Sequence, residues 1–333
     1  MTLFLSTYIT GFEDIVNEIL PQLLHGVKIK DSYDGIVVYE YKGNTRDIES
    51  VAVFNNTFHL LREFKGHSIA FSTMLSSIVA KPCNYLPSAK HSTFRIRFFQ
   101  ENQTVKVPAN ILAKAEDVIV HATNHRVNRL GGNTEFWYTI RRENVAFYMQ
   151  LLFQRKHTEK NLNKGELRPE FAYLMCHVAN IKPNDIVYDP FAGFGAIPAQ
   201  IIQHFSYGSL MVSDNDREKI KEFRKKSICQ NTKVKLFFCD ALVFDRIPDH
   251  SVDVIVTDPP WGYYENIEDI QEFYISMLRS MSRIIKQSGE LVILSARKTE
   301  FETAVTQSQF KIIRKLDVLV NGKKAGIYRL CFM

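Results

Sequence analysis

The stretch Ile186-Val-Tyr-Asp-Pro-Phe-Ala-Gly-Phe-Gly-Ala-Ile197 decides the fold of this chain. It begins with apolar residues typical of a buried strand and continues into an acid, Asp189. Two glycines follow, Gly193 and Gly195, and a helical pattern starts directly after them. Glycine fits such a turn because it has no Cβ to limit the backbone angles or the approach of a ligand. The stretch predicts the entrance of a doubly wound α/β domain, although a lone G-x-G also occurs in ordinary turns.

Strands and helices alternate on both sides of this stretch. We predict helices at 169–179, 197–204, 217–230, 267–286 and 298–306, and strands at 186–188, 209–213, 234–238, 252–256, 290–295, 311–320 and 326–332. Such alternation builds a mostly parallel sheet with helices on its faces, and the last two strands predict an antiparallel hairpin at its edge. The predicted fold class of residues 169–333 is therefore α/β, of the doubly wound type.

Two smaller α+β units are predicted before this domain. Residues 1–64 contain a strand at 2–8, a helix at 12–24, a hairpin at 27–41 that turns at Asp34-Gly35, and a helix at 45–64. Residues 65–154 contain helices at 71–80 and 108–124 and strands at 93–100, 134–141 and 144–153. The polar residues 155–168 form the predicted linker to the last domain.

Composition is typical of a globular protein outside the membrane. Of the 333 residues 45% are hydrophobic and 23% charged, and no apolar run approaches the roughly 18 residues of a membrane helix. The apolar first nine residues lack a basic start, which favours a strand over a signal peptide. Five scattered cysteines without a C-x-x-C pair predict reduced thiols in the cytoplasm, with neither disulfides nor a metal site.

The basic charge is confined to the middle of the chain. Residues 90–165 hold 13 Lys and Arg against 6 Asp and Glu, whereas the segments before and after hold 7 against 9 and 22 against 21. This asymmetry predicts a polyanionic partner, most simply nucleic acid, with a solvated basic surface as the alternative. The segment carries Arg95, Arg97, Arg126, Arg129, Arg141 and Arg142, interleaved with Phe94, Phe136, Trp137 and Tyr138. Strand alternation favours core packing for about half of these aromatic residues.

Acids follow three successive strands of the predicted sheet. Asp214 lies 25 residues after Asp189, close to the ~20 of a nucleotide-binding unit, and a carboxylate there can hold both ribose hydroxyls. Asp240, in Cys239-Asp240-Ala241, is placed to accept from an adenine amine. Any one of these acids alone is more often a helix cap than a ligand. Because Asp216 directly precedes a helix and is a strong cap candidate, we assign the ribose to Asp214.

The most specific signal is Asp258-Pro259-Pro260-Trp261, the proline loop, which follows the buried strand 252–256. The prolines fix the backbone and remove two N–H donors, so their carbonyls can only accept. An exocyclic amine of a base is a pure donor, which a carboxylate and a proline carbonyl can hold together. Trp261 offers a face for stacking a base taken out of its helix. The alternative is a plain strand-ending turn with a core tryptophan.

The glycine stretch and the proline loop together resemble motifs I and IV of S-adenosylmethionine-dependent amino-methyltransferases. The closest resemblance is to the THUMP-domain RNA guanine-N2 methyltransferases, and it covers nearly the whole chain. It implies a ferredoxin-like unit at 1–64, an RNA-binding THUMP domain at 65–154, and a Rossmann-like methyltransferase domain at 169–333. The segments Thr93–Arg97 and Gly165–Pro169 resemble a THUMP strand and the lead into the first catalytic helix.

The resemblance also implies roles for single residues. The cofactor S-adenosyl-L-methionine would contact Arg168, Asp189, Phe191, Gly193, Gly195, Asp214, Asp216, Asp240 and Ala241. Of these, Asp189, Gly193 and Gly195 would line its methionine and ribose part, Asp214 would bind the ribose hydroxyls and Asp240 the adenine. Asp258 would hold the guanine amine with Pro259, Pro260 and Trp261 beside the base. Two residues depart from the family pattern: Phe194 stands where Ser or Thr is common, and Trp261 replaces the commoner Tyr. Neither removes a group that the chemistry needs.

The implied reaction is in-line transfer of the sulfonium methyl group to an aromatic amine. Such an amine is a poor nucleophile because its lone pair is delocalised, so it must be positioned and electron density must be drawn onto its nitrogen. Asp258, as acceptor of a hydrogen bond and of the proton, supplies this with the Pro259 carbonyl, and no metal is required. The arginines of the basic segment would hold phosphates of a folded RNA recognised by its shape.

Three hypotheses follow. The first is a monomeric cytoplasmic enzyme that methylates guanine N2 in tRNA, with ribosomal RNA as the second choice. The runner-up is methylation of an adenine or cytosine amine in RNA or DNA by the same proline loop. The third, from another class, is an RNA-binding protein whose methyltransferase fold has lost activity; the intact Gly193, Gly195, Asp214, Asp240 and Asp258 speak against it.

Overall fold

The computed structural model describes residues 2–86, 92–155, 162–163, 165–225, 232–245, 247–263, 267–320 and 322–333. The chain divides into two compact units, one of Met1–Tyr8 and Asn17–Lys156 and the other of Ile9–Val16 and His157–Met333. Half of the predicted linker 155–168, the end of the predicted helix 217–230, and Cys229 lie outside the described residues. Among the described residues, no helix has the length and apolar character to span a membrane.

The first unit is built on one mixed sheet. Its strands are β1 Thr2–Thr7, β2 Lys28–Tyr33, β3 Ile36–Tyr41, β4 Asn56–Lys65, β5 Thr93–Gln100, β6 Gln103–Thr104, β7 Arg126–Val127, β8 Thr134–Arg141 and β9 Val145–Gln154. They follow the order β2-β3-β1-β4-β9-β8-β5-β6, with β7 paired to β5. The helices of this part of the chain are α1 Glu13–Leu23, α2 Thr45–Ser50, α3 Phe71–Ala80 and α4 Ala109–Thr123.

The predicted helix at 45–64 is wrong beyond its first turns. Helix α2 ends at Ser50, and the chain continues as β4, which pairs antiparallel with both β1 and β9. Phe58 and Leu60 alternate into the core, at 0% and 5% exposure, as a strand requires. Pairing with two strands distant in sequence satisfies the β4 backbone, and this tertiary contribution overrides the local helical pattern.

The sheet of the first unit runs through both predicted N-terminal domains. Strand β4 straddles the predicted boundary at residue 64 and pairs with β9 from Asn56 to Lys65. The turn Asp34-Gly35 and the strand pair around residues 142–144 lie where the sequence predicts them. The division into a ferredoxin-like unit and a THUMP domain stays a prediction, since the strands of both segments form one continuous ladder.

The second unit is a mostly parallel sheet, as predicted. Its strands are β10 Ile186–Asp189, β11 Ser209–Asp214, β12 Val234–Phe238, β13 Val252–Thr257, β14 Ile285–Ser295, β15 Phe310–Val320 and β16 Lys323–Phe332. They follow the order β12-β11-β10-β13-β14-β16-β15, in which the first five are parallel and β16 is antiparallel to both neighbours. The helices are α5 Pro169–Val178, α6 Ala196–His204, α7 Arg217–Arg224, α8 Ile270–Ile284 and α9 Lys298–Thr306.

Several boundaries in this unit differ from the prediction by a few residues, and the junction of α8 and β14 differs most. Helix α8 ends at Ile284, and β14 begins at the next residue, where the sequence pattern extends the helix to residue 286. Ile284 and Ile285 are both fully buried, so the apolar spacing alone does not reveal the change from helix to strand. The pairing of Ile285 with Val252 of β13 fixes the extended conformation there.

The strand order places the candidate site. Strand β10 lies inside the sheet, with β11 and then β12 on one side of it and β13 and then β14 on the other. The order reverses between β10 and β13, and ligands of such sheets bind beyond the carboxyl ends of the strands at this reversal. Asp189 ends β10, and Thr257, which ends β13, stands directly before Asp258.

Candidate active site

Asp189 is the buried centre of this edge. It is 1% exposed, and its Oδ1 accepts hydrogen bonds from the Thr257 hydroxyl at 2.7 Å and the Phe191 backbone N–H at 3.2 Å. Its Oδ2 is buried and accepts no hydrogen bond from the described residues. Burial raises the pKa of this carboxyl group to about 7, with a further contribution from the charge of Asp214, against the two hydrogen bonds. A buried carboxylate oxygen of this kind is suited to a cationic ligand.

The glycine loop is fastened to the end of β11. The Gly193 N–H donates to Asp214 Oδ2 at 2.8 Å, and the Ala192 N–H donates to the Ser213 carbonyl at 3.0 Å. Gly195, the N-cap of α6, has a φ of +84°, and a Cβ there would lie 2.0 Å from the buried ring of Phe223. Both the backbone angle and the close approach therefore require glycine at 195.

Asp214 and Asp216 have different tasks. Asp214, 6% exposed, also accepts from the Asp216 N–H at 2.9 Å, so its two oxygens join the glycine loop to the turn after β11. Asp216 caps α7 by accepting from the backbone N–H groups of Glu218 and Lys219 at 2.9 and 3.4 Å. The predicted cap at Asp216 is confirmed. Its place among the cofactor contacts, like that of Asp214, stays a prediction.

Asp240 and Ala241 follow β12, the next strand along the edge. Asp240 is exposed, and its Oδ1 accepts from the Leu242 N–H at 2.9 Å; Ala241 is buried. Phe238, which the sequence analysis did not single out, is 40% exposed at the end of β12, with the Arg217 guanidinium 4.6 Å from its ring centroid. The exposed Phe238 ring and the exposed Asp240 carboxylate thus follow one another at the end of β12.

The proline loop follows β13 and is held by its carbonyl groups. The Tyr274 hydroxyl donates to the Pro260 carbonyl at 3.3 Å, and the Arg297 Nε–H donates to the Trp261 carbonyl at 3.1 Å. Pro259 is buried, and Asp258 is half-buried at the mouth of the loop. Thr257, which directly precedes Asp258, donates a hydrogen bond from its hydroxyl to Asp189. The structure thus brings the two predicted motifs to adjacent strand ends.

Trp261 is half-buried, with its indole edge-on to the ring of Tyr263 at 6.4 Å between centroids. The Trp261 Nε1 is buried and has no acceptor among the described residues. Tyr263, 42% exposed, has the Arg297 guanidinium 4.5 Å and the Lys323 ammonium 3.6 Å from its centroid. Aromatic rings and cations therefore lie together on the solvent side of the proline loop.

Arg168 is the N-cap residue of α5, where Pro169 starts the helix. Its Nε lies 3.6 Å from the Glu170 carboxylate, which is 1% exposed. Arg168 lines a cavity with Ile9, Glu166, Leu167, Phe171, Leu319 and Val320. The predicted contact of Arg168 with a cofactor stays a prediction.

Most of the predicted RNA-binding arginines have carboxylate partners within the protein. Arg95 and Arg97 both pair with the buried Glu135, and Arg129 makes two bonds of 2.7 Å to Glu116. Arg141 is buried and bonds to Asn102, the Asp34 carbonyl and Glu143. Arg142 also has a carboxylate partner, with its Nε 3.7 Å from Glu101 Oε1, but its side chain is 88% exposed. Arg126 is exposed as well. Arg126 and Arg142 are therefore better placed to reach a phosphate than the other four.

The aromatic residues of the same segment are mostly core. Phe94, Phe136 and Tyr138 are fully buried, whereas Trp137 stacks on Phe99 at 4.3 Å. Trp137 is half-buried and also packs against the core at Phe58, with 4.9 Å between ring centroids, so core packing involves all four, which is more than alternation alone indicates.

Four residues of the candidate site had no signal in the sequence analysis: Thr257, Tyr274, Ser295 and Arg297. Thr257 could have been found as the hydroxyl residue that ends a strand beside Asp258. Tyr274 lies 14 residues from Pro260, Ser295 lies 21 residues from Tyr274, and Arg297 lies 36 residues from Trp261, so only the fold brings these bonded groups together.

Comparisons with known proteins identify the family and the fold. A family model described as RMKL-like, methyltransferase domain, matches residues 155–325. The solved structure of TrmN from Thermus thermophilus aligns over 100% of both chains with a TM-score of 0.80 and 18% identity, which shows a shared fold.

Two curated relatives match parts of the chain. The mouse tRNA (guanine(6)-N(2))-methyltransferase THUMP3 is 30% identical over 203 residues, which is 56% of this chain and 40% of the relative. The tRNA (guanine(10)-N(2))-methyltransferase of Saccharomyces cerevisiae is 25% identical over 250 residues, which is 69% of this chain and 54% of the relative. The chain thus covers only about half of the length of these relatives.

Proposed function

Because the chain belongs to the family of RMKL-like methyltransferase domains, we propose that it transfers a methyl group from S-adenosyl-L-methionine to the N2 amine of a guanosine in structured RNA, with tRNA as the favoured substrate. The observation that carries this proposal is the bond between the Thr257 hydroxyl and Asp189, which sets the proline loop beside the buried acid at the reversal of strand order. The residues proposed to bind the cofactor and those proposed to bind the target amine thereby lie at adjacent strand ends.

The residues present fit S-adenosyl-L-methionine, which supplies an electrophilic methyl group on a positively charged sulfur. Asp189 offers a buried carboxylate oxygen to a cation, and the glycine loop gives access to backbone atoms without a side chain between them. Asp214 retains lone pairs for ribose hydroxyls while it holds Gly193. Phe238 and Asp240 would face the adenine, one through its ring and the other as acceptor from the amine.

On the other side of the point of transfer, Asp258 and the Pro259 carbonyl would accept the two hydrogens of the target amine. Holding both hydrogens in place turns the nitrogen lone pair towards the methyl group, and orientation of this kind supplies a large part of the rate. The Asp258 carboxylate takes up the proton that the nitrogen loses once the new N–C bond forms. Trp261 would support the base through ring contact.

The names of the curated relatives favour guanine N2 over the other exocyclic amines. Both are tRNA guanine-N2 methyltransferases, and each match extends over more than half of this chain. The proline loop by itself is suited to an adenine or cytosine amine as well, since every such amine donates two hydrogens. Because only parts of these relatives are matched, the tRNA and the nucleotide position are for experiment to identify.

The test is transfer of labelled methyl groups to total RNA that lacks this modification, followed by size fractionation and nucleoside analysis. We expect label in N2-methylguanosine of the tRNA fraction. Asp258→Asn, which keeps the shape but not the charge, should lose the label while it retains cofactor binding. Label in a methylated adenine or cytosine would overturn the guanine assignment. Cofactor binding without transfer to any RNA would favour an RNA-binding protein that has lost activity.

We further infer a cytoplasmic monomer. The support is the cysteine pattern of the sequence, in which five scattered cysteines form no C-x-x-C pair. Size-exclusion chromatography with light scattering would test this. A monomer has a mass of 38.5 kDa, and a species of twice that mass would contradict the inference.

A further inference from the structure

The proline loop poses a problem of anchoring. Pro259 and Pro260 have no backbone N–H, so the loop cannot be fastened by donating from these positions. Its carbonyl groups are what remains, and the structure uses two of them in succession. Pro260 accepts from Tyr274 and Trp261 accepts from Arg297.

The donors belong to one hydrogen-bonded chain, the brace, which consists of Tyr274, Ser295 and Arg297. The Tyr274 hydroxyl has a single proton, which goes to the Pro260 carbonyl. The Ser295 hydroxyl, 3.0 Å away, must therefore donate to the Tyr274 oxygen. The Arg297 backbone N–H in turn donates to Ser295 Oγ at 3.0 Å. All three hydrogen bonds therefore run in one direction towards the Pro260 carbonyl, and both Tyr274 and Ser295 are fully buried.

The Arg297 side chain closes the brace from the solvent side. Its Nε–H bonds to the Trp261 carbonyl at 3.1 Å, and its guanidinium carbon lies 4.5 Å from the Tyr263 centroid. An ion pair with Glu300 at 3.7 Å steadies the far end of the guanidinium, whose side chain is one-third exposed. One planar group thus fixes both the backbone of Trp261 and the ring of Tyr263.

We propose that Arg297 is a positioning residue for methyl transfer, which holds the proline loop so that Asp258 and the Pro259 carbonyl meet the target amine in the reactive orientation. This proposal rests on the function proposed above. The Pro260 and Trp261 carbonyls already accept hydrogen bonds from the brace. The Asp258 carboxylate and the Pro259 carbonyl therefore remain as the acceptors for the target amine. Arg297 would therefore act on the rate of the bound complex and leave the binding of RNA and cofactor nearly unchanged.

The matched variants are Arg297→Lys and Arg279→Lys. The first keeps a cation near Tyr263 but loses the planar Nε donor to Trp261, and the second makes the same exchange on the exposed face of α8. For Arg297→Lys we expect kcat to fall about tenfold or more, with the KM for RNA and the Kd for cofactor within about twofold of wild type. Arg279→Lys should retain the wild-type kcat. Because the exchanged side chain lies at the surface, the fold should persist.

A second readout follows the loop itself. The chain has two tryptophans, so Trp137→Phe leaves Trp261 as the sole indole reporter. In this background, Arg297→Lys should make Trp261 fluorescence more accessible to acrylamide, and Arg279→Lys should not. This measurement needs no methyl transfer. A protein without activity on RNA would contradict the proposed function, while the quenching would still decide whether Arg297 holds the loop.

Three results would overturn the proposal. The first is an unchanged kcat in Arg297→Lys, and the second is unchanged quenching of Trp261. The third is a loss that lies entirely in the KM for RNA and shrinks with added salt, which would make Arg297 a phosphate contact.

Discussion

Replacing Asp189 with asparagine should make the free protein more stable and its cofactor binding weaker. The carboxyl group is buried at the centre of the site, where its pKa is raised from 3.8 to about 7. Between these two values the folded protein holds a proton on Asp189 that the unfolded chain has released. The unfolded chain then binds fewer protons, so stability falls as the pH rises through this window.

The magnitude follows from the size of the shift. Three pH units correspond to about 4 kcal/mol at most, since each unit of pKa difference is about 1.4 kcal/mol. Asparagine accepts the same bonds from Thr257 and Phe191 through its carbonyl oxygen but carries no charge. Asp189→Asn should therefore raise the Tm at pH 8 by several degrees and at pH 5 by less than half as much, because only about one of the three pH units of the window lies below pH 5.

Cofactor binding should show the opposite pH dependence. If the ionised Asp189 meets the positive charge of the cofactor, the Kd of the wild type should rise by about thirtyfold from well above pH 7 down to pH 5.5, at tenfold per unit below the pKa. Asp189→Asn should bind more weakly at pH 8 and lose most of this dependence. The measurements are thermal unfolding and titration calorimetry at both pH values. A Tm difference that is equal at pH 5 and pH 8, or a wild-type Kd independent of pH, would refute the reasoning.

Three further predictions concern neighbouring residues. Thr257→Val removes the bond that favours the ionised acid, so calorimetry should show the pH midpoint of cofactor binding about one unit higher, with Thr257→Ser unchanged. Gly195→Ala should lower the free energy of unfolding by several kcal/mol in urea titrations, because its Cβ would overlap Phe223, whereas Gly193→Ala, with open space around it, should cost only about 1 kcal/mol. Trp261→Ala should raise the KM for RNA about five- to hundredfold through lost stacking, and Trp261→Phe much less; equal effects of the two would contradict a stacking role.

The sequence was sufficient where one short segment carries the whole feature. Asp189 ends strand β10, Gly193 lies in the following turn, and Gly195 is the N-cap of α6, all within seven residues. Asp216 caps helix α7, which begins at the next residue. Local chemistry decides such features, so the glycine loop could be predicted, while the alternation of strands and helices along the chain indicated the parallel sheet. The proline loop belongs to the same class, because two prolines after a strand restrict the backbone whatever surrounds them.

Features that depend on pairing across the fold could not be predicted. The local pattern predicts one helix over 45–64, but residues 56–65 form strand β4 because they pair with β1 and β9. Arg95 and Glu135 are 40 residues apart and become direct partners only through the register of β5 on β8. The basic charge of this segment therefore overstates the cationic surface. The brace is a case of the same kind, since Arg297 and Trp261 are 36 residues apart.

The most direct test of the central claim removes the acceptor atom. After the methylated guanosine has been mapped, an RNA is assembled by ligation with inosine at that single position, which differs from guanosine only in lacking the N2 amine. We expect the wild-type enzyme to bind this RNA as it binds the guanosine form and to transfer no methyl group to it. Undiminished methyl transfer to the inosine RNA would contradict an exocyclic amine as the acceptor and Asp258 as the residue that holds it.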